Sequence, residues 1–319
     1  MSRKMMIASI VLAVILIIGH PSFASLSYLF EGARPMAMGG AFVAVADDAN
    51  TIFFNPAGLG LLKNAEILTA YTQSFGDVNC YKIASYYSLS DYGTLAIGGD
   101  QVNVGPIPIT SIDENGTPET ISGDNYTRRV LLVSYSKNIS DVFSIGISLK
   151  RYEEYFGIFS LSGSGTGSSI GILYRPAKWL SLGTNLEDYF KSKFIYGSGI
   201  EEEIPTSFAS GFSIRPTEKL VLVGDVIKRN LKATEKNNLI YKAGTEIKLL
   251  DWFFFRLGYQ KSNYEGYPPY EPPAPDIRTA GLGLILFSKL KMDYAYKQTH
   301  YAWGYKDRDS HYFSLGYRF

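Results

Sequence analysis

From about residue 64 to its end, this chain repeats with a period of two. Phe143, Ile145, Ile147 and Leu149 alternate with Ser144, Gly146, Ser148 and Lys150. Leu290, Met292, Tyr294 and Tyr296 alternate with Lys291, Asp293, Ala295 and Lys297. Successive side chains of a strand point to opposite faces, so each run has one apolar and one more polar face. Such runs occur at 64–74, 78–89, 92–103, 124–137, 141–154, 164–175, 178–188, 204–215, 218–229, 237–248, 252–262, 277–287, 289–298 and 310–319. Most are close to the length that a tilted membrane-crossing strand needs, about 9–11 residues. The count of fourteen is even, and the pattern predicts an all-β fold: a fourteen-stranded antiparallel transmembrane barrel with lipid outside and a polar interior.

The connections point the same way. Short ones lie at Ser90-Asp91, Asn138-Ile139-Ser140, Pro176-Ala177, Pro216-Thr217, Leu250-Asp251 and Ser288, and long ones near 104–123, 155–163, 189–203, 230–236, 263–276 and 299–309. Short periplasmic turns and long outer loops are the asymmetry of such barrels. The hairpin at Phe75-Gly76-Asp77 is the exception, short yet on the outer side. A soluble pair of β-sandwiches would also alternate, but with shorter strands and less systematic turns.

Composition agrees. Tyr (24), Phe (19) and Gly (31) are abundant while the mean hydropathy is −0.02, as expected where apolar and polar residues interleave. Arg3 and Lys4, the apolar stretch Met5 to Gly19 and the small residues around Ser22-Phe23-Ala24 read as an export signal over residues 1–24. That stretch is too short to span a bilayer. Without Arg3 and Lys4, 29 of the 31 basic residues remain against 30 acidic ones, which gives no electrostatic case for nucleic acid. The single cysteine, Cys80, excludes an internal disulfide and reads as an inert strand residue.

The final run places Phe313, Leu315, Tyr317 and Phe319 on one face and ends the sequence on an aromatic. It resembles the C-terminal signal that the barrel-assembly machinery of bacteria reads. The resemblance implies an outer-membrane protein, surrounded by lipid and lipopolysaccharide.

Residues 25–62 break the period, so the chain divides into a signal (1–24), an N-terminal segment (25–62) and the barrel (63–319). In the segment, Asp48 is placed to cap a short helix carrying Ile52, Phe53 and Phe54, which must end before Pro56. The blocks Gly32-Ala33-Arg34, Gly39-Gly40-Ala41-Phe42-Val43-Ala44, Asp47-Asp48-Ala49 and Asn55-Pro56-Ala57-Gly58-Leu59 follow in order. They resemble the N-terminal signature of the FadL superfamily of outer-membrane proteins, and within it most nearly the PorV/PorQ-type branch. The resemblance implies a plug in the barrel lumen and passive transport of hydrophobic compounds of the fatty-acid or hydrocarbon type. For the PorV-like branch it implies instead a partner of protein secretion.

Fourteen strands enclose more space than side chains alone fill, so a compact segment fits inside. The residues expected to seat the plug, gate it or touch a ligand are Gly39, Gly40, Asp47, Asp48, Asn55, Pro56, Ala57 and Gly58. Gly39, Gly40 and Gly58 are expected to let backbone approach the wall. Strand parity turns Lys150, Glu187, Arg215, Lys242, Glu246, Arg256, Lys291, Asp293, Lys297 and Arg318 inward, mixed in sign, as ion-paired groups between wall and plug. It also turns Leu132, Leu173, Phe254 and Ile285 inward, either as an apolar lining for a hydrophobic ligand or as packing against the plug. No catalytic residue, metal ligand set or cofactor motif emerges: beyond the signal only His300 and His311 remain, and neither is tied to a nucleophile. The acidic run Glu201-Glu202-Glu203 and the proline-rich stretch from Pro268 to Pro275 read as solvated and stiff outer loops.

Overall fold

The structure, a computed structural model, describes residues 31–74, 78–112, 118–157, 160–190, 192–229, 239–262, 275–301 and 307–319. The export signal, the tip at 75–77, the loop at 230–236 and nearly all of the proline-rich loop lie outside the described residues.

Among the described residues sixteen strands form one sheet: β1 (Ala65–Ser74), β2 (Val78–Ser88), β3 (Thr94–Ile112), β4 (Pro118–Ser140), β5 (Phe143–Phe156), β6 (Leu161–Ala177), β7 (Leu180–Glu187), β8 (Lys193–Tyr196), β9 (Glu201–Glu203), β10 (Ser207–Thr217), β11 (Leu220–Lys228), β12 (Leu239–Leu250), β13 (Phe253–Ser262), β14 (Asp276–Leu286), β15 (Leu290–His300) and β16 (Arg308–Arg318). All but β8 and β9 make a closed antiparallel ring of fourteen. β1 pairs with β16, β5 with β6, and β7 directly with β10. Closure leaves no free edge among the barrel strands, the condition for a sheet to sit in lipid.

The predicted parity holds. In β1 the inward residues Glu66, Leu68, Ala70 and Thr72 are buried, and outward Ile67 and Tyr71 are exposed. In β16, Phe313, Leu315 and Tyr317 face out while Tyr312 and Ser314 are buried, and Phe319 follows the strand, exposed. The outer wall carries Ile83, Ile97, Leu131, Ile147, Leu257 and Leu282 in the same way. Ile83 sits at the middle of β2, opposite Thr69 and Gly99. Ile83→Arg should therefore cost about 2–4 kcal/mol, the penalty for a cation near the bilayer midplane. Urea unfolding of the barrel in lipid vesicles reads this directly, and an unchanged midpoint would place that face away from lipid.

Two predicted loops are structured. The connection expected over 104–123 is a ribbon, because β3 runs on to Ile112 and β4 starts at Pro118. Pro106 and Pro108 hide the strand period there, and the pairing absorbs them with a register shift between Val104 and Ile107. The connection over 189–203 holds the β8–β9 hairpin, which stands on the outer end of β6 through Gly163, Ser164 and Gly165. Phe194 of β8 is fully buried and packs in the main core cluster with Tyr152 and Ile204.

The core lies between the N-terminal segment and the inner wall. Ile52, Leu59 and Leu62 join Leu68, Tyr86, Val130 and Leu132, while Met38, Phe42 and Val45 join Val223. Phe42 and Leu59 are wholly buried.

Candidate functional site

Residues 32–62 form three short turns of helix: Ala33–Ala37, and the tighter 3₁₀ turns Ala49–Phe53 and Pro56–Leu61. Each 3₁₀ turn is set by its own sequence. The Asp48 carboxylate accepts the Asn50 backbone N–H (2.8 Å) and caps the first. Asn55 Oδ1 accepts the Ala57 N–H (3.1 Å) and caps the second, with Pro56 at the first helical position, where its missing donor has no cost. Gly39 (φ +67°) and Gly40 (φ +74°) take the left-handed conformation that turns the chain between them.

The segment rests on glycines of the wall. Any side chain at Gly146 of β5, Gly171 of β6 or Gly183 of β7 would overlap Pro56, Asn55 or Val43 respectively. On another part of the ring, Gly244, Gly258 and Gly281 receive Met38, Gly39 and Ala37. Of the segment's own glycines, Gly39 meets the wall as expected, at the Ala243 and Tyr259 backbones. Gly40 faces the Glu31 carboxylate and the Lys242 amine. The Cβ side of Gly58 faces Thr51 and Ala46, so there it lets the segment fold on itself.

Hydrogen bonds join this bed to the backbone. Phe42 and Val43 N–H groups donate to one oxygen of Asp225 on β11 (2.7 and 3.0 Å). The Asn55 amide donates to Val43 O (2.9 Å) within the segment and to Ile172 O (3.0 Å) on β6. Ser136 and Ser144 hydroxyls donate to Ala57 O (3.0 and 2.9 Å). Gly39 N–H donates to Thr279 Oγ1 (3.1 Å), which donates to Ala37 O (3.2 Å).

Toward the end of the barrel where short turns join β12 to β13 and β14 to β15 lies a chain of ion pairs. Arg34 binds Asp47, Asp48 (2.7 Å) and Glu246 (2.8 Å), and Glu246 also receives Arg256 (2.6 Å), which reaches Asp293 (2.8 Å). Arg215 binds Asp47 (2.7 Å). Glu66, fully buried on β1, is held by Arg318 of β16 (2.8 Å) and Lys291 of β15 (2.9 Å), and accepts the Ala49 N–H (3.3 Å). Arg318 further donates to Asp47 O (2.9 Å). Burial opposes the ionised form of Asp47, but attraction from Arg34 and Arg215 outweighs it and holds the carboxyl well below its usual range.

Two cavities border the segment. One of about 210 Å³ lies beside the ion pairs, lined by Phe254 and Ile285. The other, about 80 Å³ of space for the centres of water-sized molecules, lies between the segment and the wall from β2 to β12. Its apolar lining includes Ile52, Phe53, Phe54, Val130 and Leu132, and its polar lining includes Lys150, Asn185, Glu187 and Ser207.

The four predicted lining residues thus separate. Leu132 reaches the smaller cavity, and Phe254 and Ile285 reach the larger. Leu173 is packed against Ala44 and Ala57 of the segment and lines neither of these two cavities. The predicted inward charges that meet the segment or one another are Lys150, Glu187, Arg215, Lys242, Glu246, Arg256, Lys291, Asp293 and Arg318. Arg34 as a charge, Glu66 and Asp225 are not among the residues singled out from the sequence: the basic partners of Glu66 are on β15 and β16, and Asp225 accepts from the N-terminal segment. His300 lies beside Asp307 (2.9 Å), both exposed, and His311 beside the Tyr294 hydroxyl (2.8 Å). Among the described residues no group of His, Cys, Asp and Glu is arranged to hold a metal.

No protein-family model and no curated protein matches the chain. Solved structures do. A TodX monoaromatic hydrocarbon channel mutant (deltaS2S3) superposes with a TM-score of 0.68 at 14% identity, over 92% of this chain and 100% of that one. A Pseudomonas aeruginosa FadL homologue gives 0.64 at 12%, over 93% and 100%. The Pseudomonas putida toluene transporter TodX gives 0.60 at 14%, over 93% and 98%. With its closed ring of fourteen antiparallel strands, this chain has the fold of the FadL-type outer-membrane channels.

Proposed function

We propose that this chain is a member of the FadL superfamily in the bacterial outer membrane, and that small hydrophobic molecules cross the membrane through it passively. The observation that carries this reading is the cavity between the N-terminal segment and the wall, whose apolar lining comes from Ile52, Phe53 and Phe54 of the segment and Val130 and Leu132 of β4. In this reading the segment Gly32–Leu62 is a plug, and Gly39, Gly40, Asp47, Asp48, Asn55, Pro56, Ala57 and Gly58 seat it. The outward row Phe313, Leu315, Tyr317 and Phe319 then serves the barrel-assembly machinery during insertion, and lipid and lipopolysaccharide cover the wall. Structural likeness to channels named for toluene and monoaromatic hydrocarbons supports the same substrate class. A PorV-like role in protein secretion rests on the resemblance of Gly32 to Leu61 alone.

The test is flux. Vesicles of poorly permeable lipopolysaccharide-containing bilayers, with and without the purified barrel, are loaded with an enzyme that consumes toluene. The barrel should accelerate toluene consumption several-fold, and equal rates across toluene, an alkane and a long-chain fatty acid would reject the reading.

A further inference from the structure

The cavity that carries the transport reading has polar groups in its lining, which that reading leaves unexplained. Asn185 and Ser207 line it, each only 2% exposed. Asn185 Oδ1 and Ser207 Oγ have no hydrogen-bond partner among the described residues. Their placement follows from the wall: Asn185 and Glu187 are successive inward residues of β7, and Ser207 of β10 is directly opposite Glu187.

The orientation of the Asn185 amide is set by its neighbour. Glu187 Oε1 accepts from Asn185 Nδ2 (3.2 Å) and from Lys150 Nζ (3.1 Å). Turning the amide over would place its oxygen against that carboxylate, so the nitrogen stays on Glu187 and Oδ1 is left as an acceptor. Ser207 adds a hydroxyl able to donate or accept. A buried amide oxygen and hydroxyl left bare are costly, and a partner that offers one donor and one acceptor on the same atom removes both costs. A hydroxyl group is such a partner.

Charge narrows the class. The cavity carries three lysines, Lys82, Lys150 and Lys242, and three carboxylates, Glu31, Asp100 and Glu187, so it is neutral as a whole. A carboxylate or ammonium ligand would enter as an uncompensated charge away from water. The rest of the lining is apolar, with the Phe53 and Phe54 side chains and Val130 and Leu132 facing the same space.

We propose that this cavity binds a small neutral molecule with an apolar body and a hydroxyl head, a phenol or a short alcohol, whose hydroxyl donates to Asn185 Oδ1 and accepts from Ser207 Oγ. The proposal deepens the transport reading and rests on it for biological meaning, but its test is separate. Purified full-length barrel in lipid nanodiscs is titrated with 4-fluorophenol and with fluorobenzene, followed by fluorine NMR against empty nanodiscs. Beyond lipid partitioning, 4-fluorophenol should bind about tenfold or more tightly than fluorobenzene. Ser207→Ala, which removes one atom, should weaken 4-fluorophenol several-fold and leave fluorobenzene unchanged, and Asn185→Leu should abolish the preference. Heat-modified migration on gels confirms that both variants are folded. Equal binding of the two probes, as ordered water at Asn185 and Ser207 would produce, overturns the proposal. So does the absence of binding by either probe, or a preference that survives both substitutions. Toluene flux without a phenol preference rejects this proposal alone, whereas a phenol preference without flux rejects the transport reading alone.

Discussion

Glu246→Leu should destabilise the folded barrel by about 3–5 kcal/mol, the range for removing one partner of a buried ion pair. The Glu246 side chain is 8% exposed and takes hydrogen bonds from two guanidiniums: Arg34 Nε and Nη2 (2.8 and 2.9 Å) and Arg256 Nε (2.6 Å). Arg34 and Arg256 are themselves 10% and 4% exposed, so neither can turn to water when the carboxylate goes. Arg34 keeps Asp47 and Asp48, and Arg256 keeps Asp293, which draws the expected loss toward the lower half of the range. Glu246→Gln keeps the shape and one acceptor and should cost less. The midpoint of urea unfolding in lipid vesicles measures both. A leucine variant as stable as the parent would show that these ion pairs contribute specificity without net stability.

The second large effect concerns closure. Gly258→Val should dislodge Gly32–Leu62 and raise ion leak through the barrel by at least about tenfold, because fourteen strands enclose more than their own side chains fill. Any Cβ at 258 overlaps Gly39 N and Met38 C. The wall cannot yield there, since Gly258 is paired on one side with Gly244 and on the other with Thr279. The segment therefore has to lift, losing the Gly39 N–H to Thr279 bond and the packing of Met38, Phe42 and Val45 on Val223. Planar-bilayer conductance reads the outcome. Gly197→Ala is the control, because a Cβ there meets only Ser162 O at 3.7 Å, an ordinary contact, and its leak should match the parent. Unchanged conductance in Gly258→Val would mean that the segment does not close the lumen.

The two sites differ in how visible they are in the sequence. Glu246 and Arg256 are inward by parity alone: Arg256 stands between Phe255 and Leu257, and Glu246 is out of phase with Tyr241, Ala243 and Ile247. That Glu246 also receives Arg34, 212 positions earlier, follows only from where the N-terminal segment lies against the inner wall. The wall glycines were legible as strand glycines, but not as the bed of the segment. A glycine inside a strand has several readings, and only the position of Pro56 over Gly146 or of Gly39 over Gly258 selects one.

Local rules were read well where they act within a few residues. Asp48 caps Ala49–Phe53 as predicted, since a side chain of that length can only reach the next turn. They failed where pairing compensated for weak propensity: the prolines of β3 interrupt its alternation, yet β4 supplies partners on both sides of the register shift. The β8–β9 hairpin was missed because its strands are four and three residues long, too short for a period to show.

By itself the sequence determined the fourteen strands, the face each one turns to lipid and the presence of a separate N-terminal segment. These depend on period, length and turn residues, which are properties of neighbours along the chain. Only the tertiary structure decided what that segment touches and encloses: which glycines seat it, why Asn55 reaches Ile172, how Glu66 joins the first and last strands, and that Asn185 and Ser207 face the cavity beside it with bare oxygens. Closing the barrel and laying the segment against its inner wall bring residues more than 200 positions apart into hydrogen-bond distance, and the spacing of a sequence carries no trace of those meetings.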